Sequence, residues 1–502
     1  MWGRIIAIVF LVASYEVSFS QLNYNSPYSR FGIGDIQHQG LGYSRGMGGL
    51  GTSFATQDYI NFQNPALVQA TKQTIFDIGI EGQYRNLSSD YGTSSSFDGT
   101  LSYFATTFSG QENSRKWYSG RYSLGLGLMP YSIVDYNVTS NVSIQGSDNE
   151  SLTISDKGNG IINKALIINS FNIINPKNQS KHYKTSLSAG LESSYLFGKI
   201  DRSTESVFGA DAYYTAKINT EHYRGFLLKP GLYFNQVSKV FADTIRSRKG
   251  EIIDTFYIPT HRVNFGMTTT APTQLKGDIE QSIGYFTSQD KVIDTSTSVL
   301  FDNVNLSLNS RVRFGLSYEK ITPYRLYSEK TYVSTTDTNG ITKTTVIENY
   351  KTASWKIGID FWLNNWSNYE NTLDDNEYSN SFGLAIGGTY TQDVKGLGVA
   401  NNKGSRKFKN YASGIVYRFG VNYETLPYEV NGQSISELGI NVGFGLPLSS
   451  DRTSSAKYIN LNFAYATRGT QDAGLVQENI FKVLLNFNIS RADWFYKRPV
   501  GL

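Results

Sequence analysis

The chain has 502 residues, no cysteine, a formal net charge of +4 and only 39% hydrophobic residues. That charge is too mild to argue for a nucleic-acid surface, and without cysteine no disulfide framework is available. Beyond the first twenty residues no run approaches the roughly 18 apolar residues that a membrane helix needs. Yet Tyr (35), Phe (29) and Gly (47) are abundant while Pro is scarce (11), a balance that suits strands at a lipid–water boundary.

The chain opens with Arg4, an unbroken apolar run from Ile5 to Ala13, and the small-x-small triplet Ser18-Phe19-Ser20 before Gln21. This predicts a secretory signal peptide over 1–20, its apolar core too short to span a bilayer. No cysteine follows the cleavage site, so no lipid anchor is expected. Arg4 and Glu16 cancel, and the mature charge stays at +4.

Residues 21–72 form the next unit. Within it, RGMGGLGTSFATQDYINFQNPA (45–66) places Gly46, Gly48, Gly49 and Gly51 close together and ends on Asn64-Pro65-Ala66. A phosphate loop would close on Gly-Lys-Ser/Thr, and a dinucleotide fingerprint would lie between a strand and a helix. Neither context is present, and no cofactor motif is recognised. The glycines instead read as points where a backbone turns tightly and approaches a wall, with Pro65 stiffening the exit. A disordered tail is the alternative, against which Phe54, Tyr59, Ile60, Phe62 and Leu67 argue.

From residue 73 onward the period is two. Phe76, Ile78, Ile80 and Tyr84 alternate with Asp77, Gly79, Glu81, Gln83 and Arg85. The same rhythm returns at 122–128, 187–197, 355–363, 438–448, 459–465 and 481–489, with one face apolar and the other small or polar. The alternation alone leaves open whether the apolar side meets lipid or a core. Strand lengths of about ten residues, aromatic ends and the signal peptide favour lipid. The predicted fold is all-β: a transmembrane antiparallel β-barrel of about 14 strands over 73–502, with both ends in the periplasm. In this reading Val442, Phe444, Leu461 and Phe463 face lipid, and Asn441, Gly443 and Asn462 face the lumen. The polar stretches 146–160, 328–340 and 365–380 read as solvated loops, the last outside the cell, with 449–455 on the periplasmic side.

Chemistry is sparse. The four histidines (His38, His182, His222, His261) are scattered and HExxH is absent, so neither a hydrolase triad nor a zinc site is predicted. The chain is not expected to be an enzyme or to hold a metal. Charges on the polar strand faces are the remaining candidates: Asp77, Glu81 and Arg85 on the first strand, Arg311, Arg313 and Glu319 near the ninth, Lys356 and Asp360 on the tenth. Either they pair with one another and tie an inner segment to the wall, or one cation meets the carboxylate of an amphipathic ligand.

With Asn64-Pro65-Ala66 placed after a glycine-rich segment and before the first strand, residues 21–72 resemble the N-terminal hatch of the FadL/TodX family of outer-membrane transporters. The C-terminal third, YRFGVNYETLPYEVNG (417–432), GFGLPL (443–448) and TRGTQDAGLVQENIFKVLLNFN (467–488), looks like Bacteroidota members of that family. The chain departs from the pattern in apparent insertions around 238–258 and 321–352, and in Phe495 and Tyr496 not being terminal. The resemblance implies passive uptake of a hydrophobic small molecule of the long-chain fatty-acid type through a hatch-filled barrel, with exit sideways through a wall gap. Its partners would be outer-membrane lipid and that ligand. FadL-like barrels of the PorV type, which dock partner proteins without transporting, imply the alternative: a subunit or shuttle at the outer membrane.

Overall fold

The computed structural model describes residues 24–71, 73–109, 121–143, 151–174, 184–208, 213–246, 252–287, 292–336, 342–366, 369–371, 378–393, 414–448 and 457–491. The expected signal peptide and the stretch 449–455 lie outside them.

The period-two segments form one closed antiparallel wall of fourteen strands. In chain order they are β1 (Thr74–Ser89), β2 (Gly92–Ser109), β3 (Tyr122–Ser143), β4 (Ser151–Ile174), β5 (Thr185–Phe208) and β6 (Tyr213–Arg246). Next come β7 (Ile252–Thr270, continued by Thr273–Thr287), β8 (Val292–Leu308, continued by Ser310–Thr336) and β9 (Thr342–Asn365). The wall ends with β10 (Ser381–Asp393), β11 (Val416–Val430), β12 (Gln433–Pro447), β13 (Lys457–Arg468) and β14 (Gln477–Arg491). β7 and β8 stay in step across their interruptions, since Thr270 pairs Arg311 and Thr273 pairs Leu308. β14 closes on β1 from Gln477↔Ser88 to Arg491↔Thr74. With an even strand number, β1 begins and β14 ends at the same rim.

The outer face carries the apolar alternation into the surroundings. Ile78, Ile80 and Tyr84 on β1, Phe226, Leu228, Leu232 and Phe234 on β6, Ile357, Ile359, Phe361 and Leu363 on β9, and Leu438 and Ile440 on β12 are all exposed. A band of this size around a closed wall is stable only in lipid, where closure leaves no unpaired edge. Between these positions the inward side chains are buried, Asn441 and Asn462 among them, while Val442, Phe444, Leu461 and Phe463 point outward, half-buried.

The wall is uneven in height. β1, β2 and β10–β14 have 12 to 18 residues, whereas β6 has 34; crossing a bilayer takes about 9–11. Above the apolar band, residues 131–143, 151–161, 199–208, 213–224, 276–287 and 292–305 continue as an open six-stranded sheet. At the opposite rim the β6–β7 and β8–β9 hairpins project, the latter paired out to Thr336↔Thr342. Two expected loops are therefore strand: 151–160 belongs to β4 and 328–336 to β8. Once a strand leaves the membrane neither face must be apolar, so its sequence loses the alternation that marks its neighbours.

The N-terminal segment lies within this wall. Its short helical turns (Pro27–Arg30, Gly42–Arg45, Pro65–Ala70) and the extended pair Asp35–Ile36 are joined by irregular chain. Met47, Leu50, Phe54, Ile60 and Phe62 are almost wholly buried against wall residues that include Tyr103, Ile168, Trp362 and Tyr458. Higher up, Ile33 joins Tyr131, Val134, Ile162, Leu196, Tyr223, Trp366 and Tyr369. The segment also repairs the wall. β2 and β3 pair only over Phe104–Ser109 and Ser123–Leu128, and a bulge follows at Pro130/Ser132. Asp35 and Ile36 then occupy the freed edge of β3, opposite Ile133 and Ser132, and the Gln37 N–H donates to the Tyr131 carbonyl at 2.8 Å.

Candidate functional site

The glycine cluster forms the tight turn after Gly42–Arg45. Gly48 and Gly49 have φ of +67° and +80°, a region where a side chain is strained. A Cβ on Gly49 would stand 2.1 Å from the His38 ring nitrogen, and one on Gly46 would stand 2.9 Å from the Cα of Gly443 in the wall. The turn aims the Gly51 and Thr52 N–H groups at one carboxylate: Asp360 Oδ2 accepts from them at 2.9 and 3.0 Å and from the Thr52 hydroxyl at 2.8 Å. Arg313 stands 3.3 Å from the same oxygen, donates to the Gly49 carbonyl at 2.8 Å and stacks over Trp362.

Asn64-Pro65-Ala66 caps the last turn. The Asn64 side-chain Oδ1 accepts the Ala66 N–H at 3.0 Å, and Pro65 takes the first helical position, where its missing N–H costs nothing. The Asn64 amide donates to the Thr52 carbonyl (2.8 Å) and to the Leu232 carbonyl on β6 (2.9 Å). The Lys356 ammonium donates to the Ala55 carbonyl (3.2 Å) and Lys229 to that of Phe62 (2.9 Å).

The first-strand charges also turn inward. Asp77 accepts from Tyr103 and Asn486 (3.0 and 2.8 Å), and the Tyr103 oxygen accepts the Gly42 N–H at 2.9 Å. Glu81 pairs with Arg45 of the segment at 3.4 Å. Arg85, fully buried, pairs with Glu478 and lies over the Tyr24 ring. The remaining charges of this end were not singled out from sequence. Arg468 links Asp35 (2.6 Å) and Glu437 (2.7 Å), and Ser26 donates to Glu478 at 2.7 Å. Burial pushes the Asp35 carboxyl up, but the Arg468 and Arg85 guanidiniums outweigh it and hold it below the usual range. Arg202 binds Glu221 at 2.6 Å and the Gly32 carbonyl; Lys164 and Lys229 flank Glu192. Each lies at an alternate, lumen-facing position, which is the only signal the sequence offered. Arg311 and Arg313 fall on the eighth strand, and Lys356 and Asp360 on the ninth, one earlier than expected, with Glu319 pairing Arg262 at 3.3 Å.

What these groups leave open is small. Lumen cavities of about 60, 150 and 90 Å³ lie around the segment. The middle one is lined by Tyr24, Phe31, Trp362, Trp366 and Tyr428 together with Arg311 and Arg468. Among the described residues no group of three or more His, Asp or Glu is placed to hold a metal ion.

Among solved structures, the chain is similar to the CymD monoaromatic hydrocarbon channel, at 12% identity and a TM-score of 0.47, over 91% of this chain and 99% of that one. It is also similar to the toluene transporter TbuX of Ralstonia pickettii (10%, 0.43; 90% and 98%) and to a FadL homologue of Pseudomonas aeruginosa (10%, 0.44; 91% and 99%). No curated protein sequence matches. The sequence resemblance pointed to the FadL/TodX type, but the family model that matches is BamG, over residues 1–354 and 342–500. With nearly the whole chain matched, the protein belongs to the BamG family.

Proposed function

We propose that the protein is a non-conducting outer-membrane barrel that docks another protein, delivered by the leader at 1–20 to an outer membrane of the Bacteroidota type. The observation that carries this is the state of the lumen. The N-terminal segment acts as a fixed hatch: its carbonyls, N–H groups, Asp35 and the Ser26 hydroxyl are held by Asp360, Arg313, Lys356, Lys229, Arg468 and Glu478 from five strands of the wall. Moving it would break the Asp35–Arg468 and Arg45–Glu81 pairs and strip Asp360 and Lys356 of the segment's backbone groups, at about 1.5–3 kcal/mol for each hydrogen bond to a charge. A ligand pocket has about 300–1,000 Å³, well above the cavities around the segment; the larger hollow, of about 540 Å³, lies away from the hatch on the open sheet, between Tyr136, Arg202, Tyr214 and Phe286. The tall sector from β3 to β9 supplies surface beyond both rims, which a conduit does not need. The wall's inward charges serve the hatch and one another, and the barrel is not an enzyme.

The test is extraction of native membranes in mild detergent followed by sizing. A stable companion in fixed ratio is expected. A lone barrel, together with uptake of a hydrophobic probe that depends on it, would overturn the proposal. The second reading, passive uptake of a hydrophobic small molecule, is favoured by one observation: the wall parts between β2 and β3, closed there only by the segment's own Asp35–Ile36. It requires that deleting residues 40–66 alter probe uptake by the intact cell.

A further inference from the structure

The open sheet above the membrane ends in an unprotected strand. The upper part of β8 pairs with β7 from Val292↔Phe286 to Leu308↔Thr273. On its other edge, among the described residues, only Leu306 and Ser307 have strand partners, Asn371 and Glu370. β9 stops at Asn365, opposite Ser310, and among the described residues no strand pairs with 297–305 on that side. Val299, Leu300 and Phe301 are 37%, 62% and 38% exposed. On the concave face Val299 stands opposite Gln281 and Phe301 opposite the buried Ile279, with Ile283, 37% exposed, diagonal to Val299, so that these side chains leave a short apolar stripe at that edge. Soluble edges are normally blunted by proline, lysine or a covering element; 297–305 contains neither residue. The bulge between Phe301 and Val304, with Asn303 at φ +55°, ends the free stretch at its lower limit.

We infer that this edge accepts an extended segment of a different protein by strand addition, an inference that rests on the docking reading. Strand addition supplies backbone hydrogen bonds along the edge, and pockets between alternate side chains select the sequence. The occupant's concave-facing positions would be apolar, to cover Val299 and Phe301. On the convex side Glu280 stands opposite Leu300, and the exposed Asp302 lies in the bulge just below, so the occupant's position nearest them would carry Lys or Arg. A second copy does not fit. Two copies in one membrane hold this strand pointing the same way, and the rotation relating them turns their apolar stripes to opposite sides. Within the chain, Asp35–Ile36 on the edge of β3 is an example of the same addition.

The test uses affinity-tagged full-length protein from native membranes, with the companion's molar ratio as readout. Variants are Ser298→Pro, the pair Val299→Lys with Phe301→Lys, and, as control, Tyr91→Lys at the exposed β1–β2 turn. Heat-modifiable mobility reports barrel folding in each. The expected result is loss of the companion by tenfold or more in both edge variants, with folding intact and the control unchanged. A photo-crosslinker at Leu300 should then join one extended companion peptide, and that synthetic peptide should displace the companion. Retention of the companion in both edge variants would overturn the edge assignment while leaving the docking reading standing. Absence of any companion from the unmodified protein would overturn both.

Discussion

Asp360 concentrates the argument at the scale of single residues. It is wholly buried and satisfies two N–H groups, a hydroxyl and a guanidinium at once. Asp360→Ala would leave Arg313 buried without its partner, and a loss of about 3–5 kcal/mol in folding stability is expected, read from urea unfolding in detergent. Ser317→Ala, which removes one hydroxyl donating to the Ser53 carbonyl, should cost about 1 kcal/mol. Two glycines separate backbone strain from crowding. Gly49 and Gly432 both have positive φ, but an added Cβ meets His38 at 2.1 Å in the first and nothing within 4 Å in the second. Gly49→Ala should therefore lower the unfolding midpoint well beyond Gly432→Ala, which pays only the backbone penalty of about 1 kcal/mol. Histidine adds a pH dependence. Desolvation within the barrel, then the Arg45 charge, push the His38 pKa well below 6.5 although the residue borders the lumen cavities, consistent with its Nδ1 accepting the Gly40 N–H at 3.0 Å. The unfolded chain then takes up the proton first, so this contribution is full above about pH 6.5 and is lost as pH falls below it. His38→Gln should flatten the decline in stability between pH 7 and 5; an unchanged slope would mean that the ring titrates alike in the folded and unfolded chain, and a steeper one that it is charged in the folded protein.

Among the elements, the strands within lipid were legible and those outside it were not. Leu438–Leu448 and Trp355–Leu363 announce themselves because lipid demands an apolar side chain at every second position. Residues 151–160 and 328–336 are equally strand, but a strand beyond the membrane is under no such demand, and Ser, Thr, Lys and Asp there look like loop. The hatch was half legible: the glycines and Asn64-Pro65-Ala66 mark turns and caps, which are local. Arg468 and Glu478 were not singled out because Asp35, Arg85 and Ser26 lie 433, 393 and 452 residues from them, and Glu192 because Lys164 and Lys229 sit on the strands either side of it, beyond any local spacing rule. The structure also revises what a lumen position tolerates. Asn462 touches Gly46 of the segment, so Asn462→Arg should damage folding of the intact protein. With residues 40–66 deleted it should be tolerated, whereas Val442→Arg on the lipid face should cost about 2–4 kcal/mol in both backgrounds. Equal tolerance of the two substitutions in the intact barrel would reverse the facing of β12 and β13. Orientation is read separately: on whole cells an impermeant maleimide should label Tyr91→Cys and spare Arg121→Cys, at opposite rims.

Taken as a whole, the molecule is a membrane wall built around a segment of itself, with surplus strand projecting from one sector. In a transporter that segment must move; in a docking subunit it must not. The absence of native cysteine allows this difference to be tested with a single bond. Ser317 Oγ lies 3.1 Å from the Ser53 carbonyl, so Ser53→Cys with Ser317→Cys brings two thiols to one contact between the segment and β8, and the bond's formation is verified by loss of free thiol before the lock is used. The measurement is the activity of cells whose only copy is this variant, oxidised and then reduced, alongside the companion's molar ratio. Fixed-hatch docking predicts that the locked protein retains its companion and supports the cells as well as the reduced form does. Loss of function on locking, restored by reduction while the companion stays bound throughout, would show that the segment has to move and would contradict the account.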